Sequence, residues 1–79
     1  MDIDEDEMDE LLFVVEKIIN SCQVRGQVQY RVRWQGFEEE SDTWEPIEHL
    51  SDPDVMNLVI SFHREFPRKP VHRTLEDKL

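Results

Sequence analysis

Apolar and polar positions alternate most strictly at Val28, Tyr30, Val32 and Trp34, separated by Gln29, Arg31 and Arg33, which predicts a β-strand with one buried face. Ahead of it, Phe13-Val14-Val15-Glu16-Lys17-Ile18-Ile19 is dense in β-branched and aromatic residues and predicts a first strand over roughly residues 12–20. Arg25-Gly26 supplies the turn between them, since glycine takes positive φ without a Cβ clash. Gln35-Gly36 ends the second strand and residues 38–42 form a polar loop. Thr43-Trp44-Glu45 then reads as a third short strand, closed by Pro46, which cannot donate to a ladder. Beyond it the period changes. Asp52 is placed to cap a helix, with Pro53 at its first position, Asp54 in its first turn and Pro67 as its stop. Val55, Val59, Phe62 and Phe66 recur between these limits at helical spacing, with Leu58 beside them, as the stripe of a helix laid across a sheet. Strands followed by a helix predict an α+β domain: a three-stranded antiparallel sheet packed against one C-terminal helix.

Length and charge narrow the function classes. The chain has 79 residues, enough for one small domain and too few for most stand-alone enzymes. Nine Lys and Arg against 19 Asp and Glu give a net charge of −10, which opposes a grip on nucleic acid phosphates and favours basic partners. Hydrophobic residues make up 38%, below the usual share of globular domains, so the fold is expected to be marginal. Seven acids fall in the first ten residues and no base precedes Lys17. Residues 1–9 therefore read as a disordered acidic arm. Residues 10–66 are the expected folded unit, and residues 67–79 a mobile tail that is basic at first and contains proline. The lone Cys22 makes no internal disulfide, and with His49, His63 and His72 scattered there is no metal-ligand spacing. A reducing compartment fits, and no cofactor or metal is expected. No apolar run approaches a membrane span, so the expectation is a soluble, non-secreted protein. The serines, histidines and Cys22 match no nucleophile-elbow, phosphate-loop or zinc pattern, which argues against catalysis.

The aromatic residues carry more information. Phe13 opens the first strand, Trp34 ends the second, and Phe37 follows the Gly-containing turn. Three rings meeting at one rim would offer negative π-faces to a quaternary ammonium, each worth about 0.5 to 2 kcal/mol. On composition alone a second reading stands beside this one and is favoured: in a small domain such rings supply the core.

The blocks Phe13-Val14-Val15-Glu16-Lys17-Ile18-Ile19, Gly26-Gln27-Val28-Gln29-Tyr30-Arg31-Val32-Arg33-Trp34-Gln35-Gly36-Phe37 and Asp42-Thr43-Trp44-Glu45-Pro46-Ile47-Glu48-His49-Leu50 together resemble a chromodomain. The likeness spans residues 10 to about 66. It implies a curved three-stranded sheet closed by a C-terminal helix. It also implies a methyl-lysine cage at Phe13, Trp34 and Phe37, and leaves Trp44 to the core with Tyr30 and the helix stripe. In such a domain an extended peptide inserts as an added strand between two segments, here Glu10, Leu11, Leu12 and on to Val15 on one side and residues 47–52, including His49, on the other. Glu45 would contact the peptide beside the cage, while Val15, Val32 and Leu50 would line a small pocket for the residue two before the methyl-lysine. Asp52 stands where family members tend to carry a small apolar residue, and Ser41 where many have an acid, although Glu40 and Asp42 adjoin it. The implied partner is a methylated tail of the third histone in an Ala-Arg-Lys-Ser context, read in the nucleus by a monomeric domain without direct nucleic acid or membrane contact. Two alternatives share the resemblance: a chromodomain for a non-histone partner, and the targeting module of a retrotransposon integrase.

Overall fold

A computed structural model describes residues 14–79; the expected acidic arm, residues 1–9, lies outside the described residues. Strands β1 (Val15–Val24), β2 (Gln27–Trp34) and β3 (Thr43–Pro46) form one antiparallel sheet in the order β1-β2-β3, followed by helix α1 (Pro53–Glu65). The α+β architecture read from the pattern is the one observed. The first strand runs four residues past its expected end, to Val24. Its polar residues pair with β2 down to the turn, Val24 opposite Gln27. Arg25 and Gly26 both adopt positive φ, 53° and 80°, the pair that a two-residue hairpin needs to follow the twist of its strands.

Helix α1 starts where its cap predicts. The Asp52 carboxylate accepts a hydrogen bond from the Asp54 amide at 2.9 Å, and Pro53 occupies the first helical turn. Val59 and Phe62 are buried against the sheet, with Val55, Met56 and Leu58 packed around them. The stripe does not extend to Phe66, which is 45% exposed. Its backbone, at φ −127° and ψ 70°, has left the helix, and its ring packs instead on Phe62, centroid to centroid 5.1 Å.

Trp44 corrects the expected core. It is 42% exposed because the β2–β3 register pairs Tyr30 with Glu45, Arg31 with Trp44 and Val32 with Thr43. Side chains alternate across a strand, so Glu45 and Thr43 share the face of the buried Tyr30 and Val32, and Trp44 stands with Arg31 on the opposite face.

The segment after Pro67, expected to be a mobile tail, packs against the domain instead. Residues Arg73–Lys78 form a 3₁₀ turn in which Leu75 is fully buried in the core. Val71 packs beside it. The Ser21 hydroxyl donates to the Pro70 carbonyl at 2.8 Å, and the His72 amide donates to the Tyr30 hydroxyl oxygen at 3.1 Å. The Tyr30 hydroxyl is also hydrogen-bonded to Nε2 of His63, 2.8 Å away. His63 is 2% exposed, and burial pushes its imidazole below the ordinary pKa. The sequence missed this layer because Val71 and Leu75 are isolated apolar residues in a polar stretch; their spacing of four is the one signal it contains.

Candidate functional site

Beside the core lies a groove of about 890 Å³, within the usual size of ligand sites. Its walls come from the start of β1, the end of β2, the loop into β3, and the junction between the 3₁₀ turn Ile47–Leu50 and α1.

The turn after β2 sets two of the rings. The Phe37 amide donates to the Trp34 carbonyl at 3.0 Å, and Gly36 at the third position has φ 85°, which the tight turn requires and a side chain would oppose. Trp34 and Phe37 thereby occupy the two ends of one turn, and both line the groove. Val14 is tied to the same turn, its carbonyl accepting from the Gln35 amide at 2.8 Å.

A chain of hydrogen bonds fixes the Trp34 ring. Its indole N–H donates to Thr43 Oγ1 at 2.9 Å, and the Thr43 hydroxyl donates to Glu45 Oε2 at 2.7 Å. The other Glu45 oxygen, Oε1, accepts from His49 Nδ1 at 2.7 Å; a carboxylate only accepts, so Nδ1 holds the proton. All four residues line the groove. Fixing the N–H edge of the indole leaves its orientation set by the sheet.

The sequence-predicted residues divide into three groups. Trp34, Phe37, Val15, Ser41, Glu45, His49 and Asp52 meet at the groove, Asp52 while also capping α1. Val32 and Leu50, expected in a peptide pocket, do not line it; they are 0% and 1% exposed and belong to the core. Val32 lies on the inner face of the central strand, and Leu50 points inward from its 3₁₀ turn. Glu10, Leu11, Leu12 and Phe13 lie outside the described residues. Glu48, within the expected segment 47–52, lines the groove too. Sequence reasoning missed Thr43, Asp54, Val55 and Leu58, which also line it, and for Thr43 the signal was its alternation with Trp44. Four carboxylates thus border the groove, at Glu45, Glu48, Asp52 and Asp54, against His49 as its one basic side chain among the described residues, a bias that favours cationic guests.

Asp42, considered as a substitute for the acid missing at Ser41, is engaged elsewhere. Arg33 donates to it through Nε and Nη2, at 2.5 and 2.9 Å, and Arg31 through Nε at 2.9 Å. The bonds from Arg33 hold the Asp42 carboxyl below the usual carboxylate range, and raise the Arg33 guanidinium in turn. Among the described residues no cluster of three or more His, Cys, Asp or Glu could hold a metal ion, and no helix is long and apolar enough to cross a membrane.

Comparison with known proteins bears on what such a groove is for. Residues 13–64 match the family model of the Chromo (CHRromatin Organisation MOdifier) domain. Among similar proteins, human M-phase phosphoprotein 8 is 47% identical over 94% of this chain and 8% of its own length. The chromo domain-containing protein rhino of Drosophila melanogaster is 43% identical over 77% of the chain and 14% of its own. The chromobox protein homolog hpl-1 of Caenorhabditis elegans is 51% identical over 49% of the chain and 21% of its own. The chain therefore spans a small part of each relative.

Proposed function

The chain belongs to the chromodomain family, a family of binding modules, and from that premise we propose that it is a nuclear chromatin reader holding a di- or trimethylated lysine of a histone tail in the groove. The observation that carries this reading is the placement of Trp34 and Phe37 at the two ends of one turn, both lining a groove bordered by carboxylates. Phe13 supplies the third ring in this proposal.

Physical chemistry connects that arrangement to methylation. A methylated lysine keeps its charge but exchanges strongly hydrated N–H groups for apolar methyl surface, so it leaves water at lower cost. The ring faces attract the cation. The carboxylates of Glu45, Glu48, Asp52 and Asp54 favour a tail rich in Arg and Lys and steer its approach. The tail pairs as an added strand alongside residues 10–15, so that main-chain hydrogen bonds supply affinity tolerant of sequence and the rings supply dependence on methylation. An Ala-Arg-Lys-Ser site of the third histone is the proposed target. Ordering the tail opposes these gains, so a short peptide binds with a Kd of roughly micromolar to tens of micromolar, about −6 to −8 kcal/mol.

Substitution of the rings tests the proposal. Trp34→Ala and Phe37→Ala should each abolish capture of a trimethyl-lysine tail peptide while circular dichroism shows a cooperative melt. Retained capture by both variants contradicts it.

A further inference from the structure

The outer face of the sheet contains an ion pair that no binding role of the groove calls for. The Asp42 side chain is 1% exposed and receives three N–H donors, two from Arg33 and one from Arg31. An open surface pair would hold its partners loosely. This one has the forked geometry of a guanidinium on a carboxylate, which fixes orientation as well as distance.

Its place in the chain gives it a consequence on the other face. Arg33 immediately precedes Trp34, and Asp42 lies between Ser41 and Thr43, both groove residues. The same two chain segments are therefore joined twice: behind the sheet by Arg33 to Asp42, and in front by the Trp34 indole to Thr43 Oγ1. A rotation of residues 41–43 that carried Thr43 away from the indole would have to pull Asp42 from both arginines. The Asp42 amide also donates to the Glu39 carbonyl at 3.0 Å, closing the 3₁₀ turn Glu39–Ser41. The loop from Trp34 to Thr43 is thus fixed at its start by the Phe37–Trp34 bond and at its end by Asp42.

We propose that Asp42 is a positioning residue for the groove: from the opposite face, through Arg33, it holds the segment whose Thr43 orients the Trp34 ring. The inference rests on the methyl-lysine reading for its effect on binding, and on geometry alone for its effect on Trp34.

Two readouts test it on the full chain. The first needs no ligand: the Trp34 indole N–H resonance, distinguished from Trp44 in a Trp44→Phe background, should shift in Asp42→Asn and return towards its original position in Asp42→Glu, which restores the carboxylate. The second is affinity for a trimethyl-lysine tail peptide, measured well below the melting temperature of each variant. Asp42→Asn should weaken it about fivefold, the equivalent of ~1 kcal/mol, with Asp42→Glu recovering part of the loss. Arg33→Lys keeps the charge, removes the fork, and should act in the same direction if Asp42→Asn does not fold. A folded Asp42→Asn with an unmoved indole resonance and unchanged affinity overturns the inference, as does an Asp42→Glu variant no better than Asp42→Asn. If the unsubstituted protein does not bind the peptide, the methyl-lysine reading fails, and the indole resonance alone then decides whether Asp42 holds Trp34.

Discussion

At the scale of single residues, the two tryptophans have opposite fates set by ten positions of chain. Trp34 is half-buried, packs on the core and donates its N–H to Thr43, whereas Trp44 stands beside Arg31 on the outer face. Trp44→Ala should accordingly cost about 1 kcal/mol or less in urea unfolding, and leave peptide affinity within about twofold. A loss of several kcal/mol would return Trp44 to the core. His63 gives a second residue-level prediction. Burial lowers its pKa, so an unfolded chain takes up a proton that the folded chain refuses, and stability falls as pH drops below about 6.5. The melting temperature should decline between pH 7 and pH 5 more steeply in the native protein than in His63→Gln, whose amide can still hydrogen-bond Tyr30 but does not titrate. Equal slopes would contradict the assignment. Neither placement was legible from type alone. Tryptophan at a strand end and histidine on a helix each fit either face, and the β2–β3 register, which depends on the length of the loop between them, decides for Trp44.

At the scale of elements, the readable signals were local ones. The cap at Asp52, the proline after it and the Pro67 stop announced α1 because capping is settled within one helical turn. The alternation in β2 announced the central strand because the middle of one face is fully buried, Tyr30 and Val32 both being at 0% exposure. Trp34 and Phe37 were legible as groove residues only through the chromodomain resemblance, since composition alone favoured the core, and the hydrogen bond of Thr43 was not, since its partner lies nine residues away. The C-terminal segment showed least, because one buried leucine has no period. Its contribution is measurable. Leu75→Ala should destabilise the domain by about 2 to 5 kcal/mol, while Leu79→Ala, at a site 51% exposed, should be nearly neutral. In a domain whose total is expected near the low end of about 5 to 15 kcal/mol, loss of Leu75 should leave the chain partly unfolded at 37 °C by circular dichroism. A Leu75→Ala protein as stable as Leu79→Ala would mean that the segment contributes nothing to the core.

At the scale of the whole molecule, charge and shape favour the same partner. The chain bears −10 overall, with seven acids in its first ten residues, and its groove is edged by four more carboxylates. Electrostatic attraction to a basic tail is screened over about 8 Å at physiological ionic strength. Raising salt from about 50 to 500 mM should therefore weaken peptide binding several-fold, chiefly through slower association. Removal of residues 2–9 should flatten that dependence without changing the preference for methylation. An unchanged salt slope would deny the arm a steering role. The central claim, that the groove selects a methylated lysine, is tested most directly by calorimetric titration of one tail peptide in two forms, unmethylated and trimethylated at the lysine of Ala-Arg-Lys-Ser. The account predicts that the trimethylated form binds at least about tenfold more tightly, 1.4 kcal/mol or more. Equal affinity for the two forms, or no binding of either by the folded protein, would contradict it.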